Sequence, residues 1–392
     1  MVILKKLATF ISWTVASQLI TIGSILIFSK FYSPYDFGIL GLYTSYIAIA
    51  SSVIGLRLDY AISSSDKGDE KSLLSICVCL GLISTVFTMP VFIFFVESVQ
   101  HSASLAVISS FVMIFNALQA YYVKVAKVKI ASISFFVRSL LMVFFQYLFI
   151  GNGLGLFIGY CLSFLITVLL FFPYRDFKMI PYVTYMDYYK KYFDFIRYNL
   201  PHTLLNTFGN NIPYYVINVI YGKEYVGYFT MAMRVVQVPH RFISNAIRQV
   251  MTSCYKDVGY LKSKILLSLY TKRLFLLSGM IFIPFFFYSE LLFSVVLGDD
   301  WIMVGKITSM LCFWFAVSLC NVPAISFMTV FGGLKSLLKF EALSFIFRVG
   351  LFVFSLLTIL DFNYFIMIFS LIGVLFNLTV IYESFRMNKD PV

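Results

Sequence analysis

Carboxylates are scarce in this chain: 18 Asp and Glu stand in 392 residues, against 30 Lys and Arg. That shortage leaves little material for acid–base or metal chemistry, which needs acidic groups gathered at one place. His101, His202 and His240 are solitary. Cys77, Cys79, Cys161, Cys254, Cys312 and Cys320 lie in or beside apolar runs without zinc-like spacing and read as packed thiols. No metal site and no cofactor is therefore expected. A G-x-x-x-x-G-K-[ST] loop is also missing, as is any polar stretch long enough to fold into a nucleotide-holding domain.

What the chain has instead is apolar length. Charged residues are 12% of the total and hydrophobic residues 60%, with a mean hydropathy of +0.90, outside the range of soluble domains. A hydrocarbon layer of ~30 Å needs about 20 helical residues. The sequence divides into about twelve such windows, near 7–29, 37–62, 73–96, 103–123, 130–150, 152–172, 196–220, 226–252, 268–297, 303–330, 338–360 and 362–384. The expected fold is an all-α integral membrane protein. Lys5 and Lys6 before an apolar run imitate a signal peptide, but the run is long and no small-residue cleavage pattern follows, so it reads as the first span.

The basic residues give the orientation. With these spans, 21 of the 30 fall in loops on the side of the amino terminus, three (Lys30, Lys223 and Lys306) on the opposite side, and six inside spans. Positive charge collects on the cytoplasmic face, which predicts a multi-pass protein with both termini in the cytoplasm. The net charge of +12 is thus mostly a topology signal. A nucleic-acid surface would cluster those bases on one soluble face, and none is expected as partner.

The longest connection, 173–195, is rich in Tyr, Pro and charge and divides the spans six and six. It predicts an N-lobe at 1–172, a cytoplasmic linker at 173–195 and a C-lobe at 196–392, with the lobes around a central cavity. A shift of 189 residues lays "FYSPYDFGILGLY" (31–43) on "IYGKEYVGYFTMA" (220–232), matching Tyr32 with Tyr221 and Gly38 with Gly227. Both stretches are short outer turns entering the second span of a lobe, as expected of a duplicated half.

The eighth span, "MAMRVVQVPHRFISNAIRQV" (231–250), carries the feature most in need of explanation. Arg234, Arg241 and Arg248 are seven residues apart and share one helical face over roughly 21 Å. The same shift places Ser45, Ser52 and Asp59 opposite them, a polar but not positive face. His202, Asn206 and Asn210 recur at helical spacing in the seventh span, and Thr14, Ser17, Gln18, Thr21 and Ser24 in the first. Four spans so marked would line a cavity with groups that lipid cannot satisfy. The bland alternative is that Ser and Thr bond their own helices and that Arg near span ends snorkels to the surface, as Arg57 and Arg248 could. Arg234, Arg241, Arg138 and Arg348 lie deeper. A guanidinium stays charged and presents a two-pronged donor, so the ladder's expected ligand is an anion: a phosphate, a pyrophosphate or a carboxylated sugar. Asp59, the one acid placed inside a span, is a weak candidate for ion coupling or for neutralising an Arg. Pro239 and Pro213 are candidate hinges, or static kinks.

Two stretches carry a family resemblance. "FYSPYDFGILGLYTSYIAIASSVIGLRLDYAI" and "NNIPYYVINVIYGKEYVGYFTMAMRVVQVPHRFISNAIRQV" resemble the matching parts of bacterial polysaccharide flippases, the O-antigen and exopolysaccharide translocases of the multidrug/oligosaccharidyl-lipid/polysaccharide exporter superfamily. The resemblance implies a carrier, not an enzyme, in the bacterial cytoplasmic (inner) membrane. Its cargo would be undecaprenyl-pyrophosphate-linked oligosaccharide, such as a lipopolysaccharide repeat unit, turned to the periplasmic leaflet by rocking of the lobes. Membrane lipid and other polysaccharide-assembly membrane proteins are its expected partners, and a monomer is the expected state. Arg234 and Arg241, with Arg57 and Arg248 nearer the cytoplasmic mouth, would hold the pyrophosphate; Arg138, Arg348, Asn206, Asn210, Ser45 and Ser52 complete the candidate set. Two rivals stay open. A cation-coupled drug exporter of the same superfamily would show cavity carboxylates, and a polysaccharide polymerase or glycosyltransferase would need acidic residues or a sizeable loop at the membrane surface, where Asp299 and Asp300 are the one adjacent pair.

Overall fold

The computed structural model describes residues 2–66, 68–96, 98–174, 177, 182–358 and 360–387. Lys67, Arg175, Lys178 and Lys389 of the charge count lie outside them, as do the side chains of Lys5, Lys6, His202, Pro239 and Lys256. Among the described residues the chain is helical throughout, without strands. In hydrocarbon every backbone N–H and C=O must be paired inside its own segment, which long apolar runs achieve only as helices.

The order is α1 (Val2–Phe28), α2 (Pro34–Ile54), α3 (Leu58–Ser64), α4 (Asp69–Ile93), α5 (Val99–Lys124), α6 (Val128–Leu148), α7 (Gly155–Leu170), α8 (Tyr182–Lys191), α9 (Phe193–Ile220), α10 (Lys223–Val258), α11 (Tyr260–Leu297), a 3-10 turn (Asp299–Trp301), α12 (Ile302–Cys320), α13 (Val322–Val330), α14 (Leu334–Thr358) and α15 (Phe362–Arg386). Taking α2 with α3, and α12 with α13, this is the twelve-span order read from the sequence, with α8 in the central connector. Among the described residues eight helical segments are long and apolar enough to cross a membrane, and α1 and α7 hold shorter apolar stretches. The chain divides into two compact units, Met1–Tyr215 and Val216–Val392, the division falling within α9.

Local chemistry sets the ends. Ser33 and Asp36 form a capping box at the start of α2, the Asp36 carboxylate accepting from Ser33 N at 2.9 Å, with Pro34 in the first helical position. Gly222 and Gly259, at φ 93° and 77°, make the tight reversals on either side of α10 that a side chain would oppose.

In the first unit α5 is the hub, packing on α2, α3, α4, α6 and α7; in the second, α12 packs on α10, α11, α13 and α15. The fourth span of each half is therefore interior, while the third and fifth turn broad apolar faces outward, as lipid-facing helices do. The outer turns show the duplication directly. Tyr32 donates its hydroxyl to the Gln146 carbonyl at 2.7 Å, and Tyr221 donates to the Leu360 carbonyl at 2.6 Å. Each ties the turn between the first and second spans to the far end of the fifth. Burial pushes both phenols up to about 12, with Asp36 and Asp361 adding to the effect.

At the opposite end of the first unit, α8 is tied to the turn between α3 and α4. Lys191 Nζ lies 2.8 Å from Asp66 and 2.5 Å from Asp69, and the Tyr188 and Tyr192 hydroxyls donate to Asp69 at 3.2 and 2.8 Å. Hydrogen bonds to the two carboxylates raise the Lys191 ammonium above the ordinary lysine value.

Candidate substrate-binding site

The Arg row belongs to α10, 36 residues long and strongly amphipathic. Its packed stripe runs through Val226, Thr230, Met233, Ser244, Met251 and Tyr255, all buried, and meets α12 and α13. Successive members are 4, 3, 11, 7 and 4 residues apart, sums of three- and four-residue steps that keep one face against a partner helix. Arg234 stands four residues after Thr230, Arg241 three before Ser244 and Arg248 four after it, so their row lies roughly 40–80° round the helix from the stripe, along its edge. Arg234 is half-buried, whereas Arg241 and Arg248 are exposed. Between them His240 packs edge-on to Phe315 at 5.2 Å. No helical break separates the three, so the seven-residue register holds along the row.

Other candidates sit elsewhere. Asn206 and Asn210, one turn apart on α9, are exposed, and the Asn210 amide donates to Asn206 Oδ1 at 3.1 Å. Ser45 and Ser52 are buried and back-bond to the carbonyls of Leu42 and Ile49, each at 2.7 Å, the satisfaction a hydroxyl finds in its own helix. Pro213 is buried within α9, and α10 continues through position 239; among the described residues the second span is interrupted at residues 55–57.

Arg138 and Arg348 occupy equivalent places in the two halves. Arg138, on the fifth span, lies over the rings of Phe115 and Phe164 at 5.9 and 4.7 Å, from the fourth and sixth spans. Arg348, on the eleventh, lies over Trp314 and Phe369 at 5.2 and 5.0 Å, from the tenth and twelfth. A guanidinium lying over ring faces is stabilised by their quadrupoles.

Arg57 and Asp59 meet where the second span breaks. Leu56 and Arg57 hold φ of 46° and 60°, left-handed conformations costing about 1 kcal/mol or more each in a residue with a side chain. Arg57 is laid over the Tyr60 ring at 3.7 Å, and its Nη1 is 3.9 Å from buried Asp59. A cavity of about 250 Å³ opens beside this break, walled by Arg57, Asp59, Tyr60, Asn116, Gln119 and Phe135, all of the first unit. Asn116 and Gln119 were not among the residues read from the sequence. Their signal is an i, i+3 amide pair in the second half of α5, a helix whose first half already carries several serines, so the pair is easily taken for helix-bridging polarity.

Among the described residues, two similarly ordered sets of helices, eight segments of them long and apolar enough to cross a membrane, define the class of membrane transporters. Solved structures agree on the fold. An inward-facing multidrug resistance transporter of the MATE family, in the MOP superfamily, is 15% identical over 97% of this chain and 96% of its own, with a TM-score of 0.66. The lipid II flippase MurJ, in an inward closed conformation, is 15% identical over 95% of this chain and 87% of its own, with a TM-score of 0.69. A MOP superfamily transporter from Pyrococcus furiosus, described as having a binding pocket of reversed polarity, gives 15% over 97% and 92%, with a TM-score of 0.57. No curated protein matches the sequence. The family model described as polysaccharide biosynthesis protein matches residues 27–306, and this chain belongs to that family.

Proposed function

We propose that this protein is a flippase for lipid-linked oligosaccharide in the bacterial inner membrane. It turns an undecaprenyl-pyrophosphate-linked repeat unit, of O-antigen or a related polysaccharide, from the cytoplasmic to the periplasmic leaflet by alternating access. The observation that carries this reading is the row Arg234, Arg241 and Arg248 on one uninterrupted helix, along the edge of its packed face. Lipid-exposed cations have no reason to keep a seven-residue register, and a pyrophosphate group passing along a path has need of successive guanidinium forks. Membership in a polysaccharide biosynthesis family and a fold shared with a lipid II flippase support the cargo class. In this reading the prenyl tail stays in lipid, and the chain acts as a carrier without making or breaking bonds in its cargo.

The test is surface polysaccharide in cells whose own translocase has been deleted. Arg234→Gln and Arg241→Gln should each cut surface polysaccharide tenfold or more, since a charge-assisted bond is worth ~1.5–3 kcal/mol. Protein in the membrane should be unchanged. Lys at either place restores part of the loss, keeping charge but not the fork. Normal polysaccharide in the Gln variants would overturn the proposal.

A further inference from the structure

The cavity beside the break in the second span has a property of its own: two of the side chains that border it each carry a buried polar atom without a hydrogen-bond partner, one a donor and one an acceptor. Arg57 Nε is buried without a hydrogen-bond partner, and so is Gln119 Oε1. Gln119 is held fast by its other end, its Nε2 donating to Ser134 Oγ at 2.7 Å, while that hydroxyl donates to the Ala131 carbonyl at 2.8 Å. The Oε1 is thus the half left over, on a side chain that borders the cavity.

A phosphate fits this pair badly. It offers acceptors alone, leaving Gln119 Oε1 unmet, and would enter beside the Asp59 carboxylate, 3.9 Å from the same guanidinium. A hydroxyl satisfies both, because it donates and accepts. Several hydroxyls on one ring would also reach the Asn116 amide, and the rings of Tyr60 and Phe135 offer apolar walls to C–H faces. At about 250 Å³ the cavity falls below the ~300–1,000 Å³ of sites for drug-sized ligands, room for one ring and not for an oligosaccharide.

We propose that this cavity in the first unit binds a single uncharged sugar ring of the cargo, and that Gln119, Asn116 and Arg57 thereby select the glycan. The proposal rests on the flippase reading for its cargo, but separates the group that reads sugar from the row that holds pyrophosphate. It also gives Arg57 a role different from the pyrophosphate contact expected from the sequence.

The experiment uses the full chain in lipid nanodiscs, with saturation-transfer NMR on millimolar glucose, N-acetylglucosamine and glucuronate. The neutral sugars should receive saturation, and saturation of glucuronate, an anion the Arg row would take, should be the same in the wild type and in both cavity variants. Gln119→Met and Asn116→Ala should each weaken neutral-sugar binding about fivefold, the value of one hydrogen bond. Asn116 is exposed, so its truncation tests the cavity even if Gln119→Met disturbs the packing of α5 on α6. Undecaprenyl-pyrophosphate N-acetylglucosamine should displace the free sugar, and bare undecaprenyl pyrophosphate should not. Absence of neutral-sugar saturation in the wild type, or equal neutral-sugar saturation in both variants, overturns the proposal; so does displacement by the bare lipid. Phosphorus line broadening of inorganic pyrophosphate is read on the same wild-type samples. Its absence alongside intact sugar binding counts against the ladder alone.

Discussion

Replacing Arg138 by Met distinguishes a structural cation from a ligand-holding one, and the geometry sets the size of the effect. The guanidinium lies 4.7 Å from the Phe164 centroid and 5.9 Å from that of Phe115, the second near the outer limit of a useful contact. The nearer ring contributes ~2 kcal/mol when desolvated and the farther about 0.5. Against this stands the cost of keeping a cation at membrane depth, ~2.5–3.5 kcal/mol. The buried Arg138 Nε has no hydrogen-bond partner to lower that cost. The two sums nearly cancel, so Met, of similar length and no charge, should leave stability within about 1 kcal/mol of wild type. Ala removes the filling as well and should cost ~2–5 kcal/mol. Lys, compact and strongly hydrated, cannot lie flat between the rings and should fall between Met and Ala. Half-inactivation temperatures of the purified variants in nanodiscs read the order, and surface polysaccharide reads the function. An aromatic clamp predicts that Arg138→Met folds and transports. A stable Arg138→Met protein with no surface polysaccharide would refute the reasoning and return Arg138 to the substrate path.

Two other changes probe the scaffold. A Cβ on Gly155 would collide with the Tyr32 hydroxyl and the Phe149 carbonyl, so Gly155→Ala should cost ~1–3 kcal/mol by overpacking, read as a lowered half-inactivation temperature. Lys191→Met should release α8, seen as faster amide exchange over 182–191. Because Asp66 and Asp69 raise the Lys191 value, the wild-type contact is complete below the ordinary lysine range and lost only as pH climbs through the raised one; wild-type exchange protection should be flat between neutrality and mild alkali.

The helices and the duplication were legible because both rest on composition and local order. Apolar length marks spans, and the pairing of Tyr32 with Tyr221 by simple displacement found two residues whose hydroxyls close equivalent turns. What stayed hidden depends on contacts across the fold. Nothing in the sequence near Arg138 or Arg348 announces an aromatic sandwich, since the rings come from neighbouring spans more than 20 residues away. The break at 55–57 is equally silent. Gly55 is an ordinary helical glycine, and the left-handed residues are Leu56 and Arg57, which sequence reasoning would assign to a helix interior. Pro213 and Pro239, candidate hinges or kinks because proline removes a hydrogen bond, lie inside helices that run on through both positions.

The second spans of the two halves differ, and this bears on the division of labour. In the first half the second span is interrupted at 55–57; in the second half the second span, α10, runs unbroken. An interruption within α10 would rotate Arg248 away from Arg241 and dissolve the row, whereas the unbroken helix holds three forks in line over roughly 21 Å. The first half carries no such row to protect. Its break instead turns Arg57 out of helical register, lays it on Tyr60 and opens the cavity that Gln119 borders. The unbroken helix suits a charged group that must move from fork to fork, and the broken one suits a neutral group that must be recognised in place.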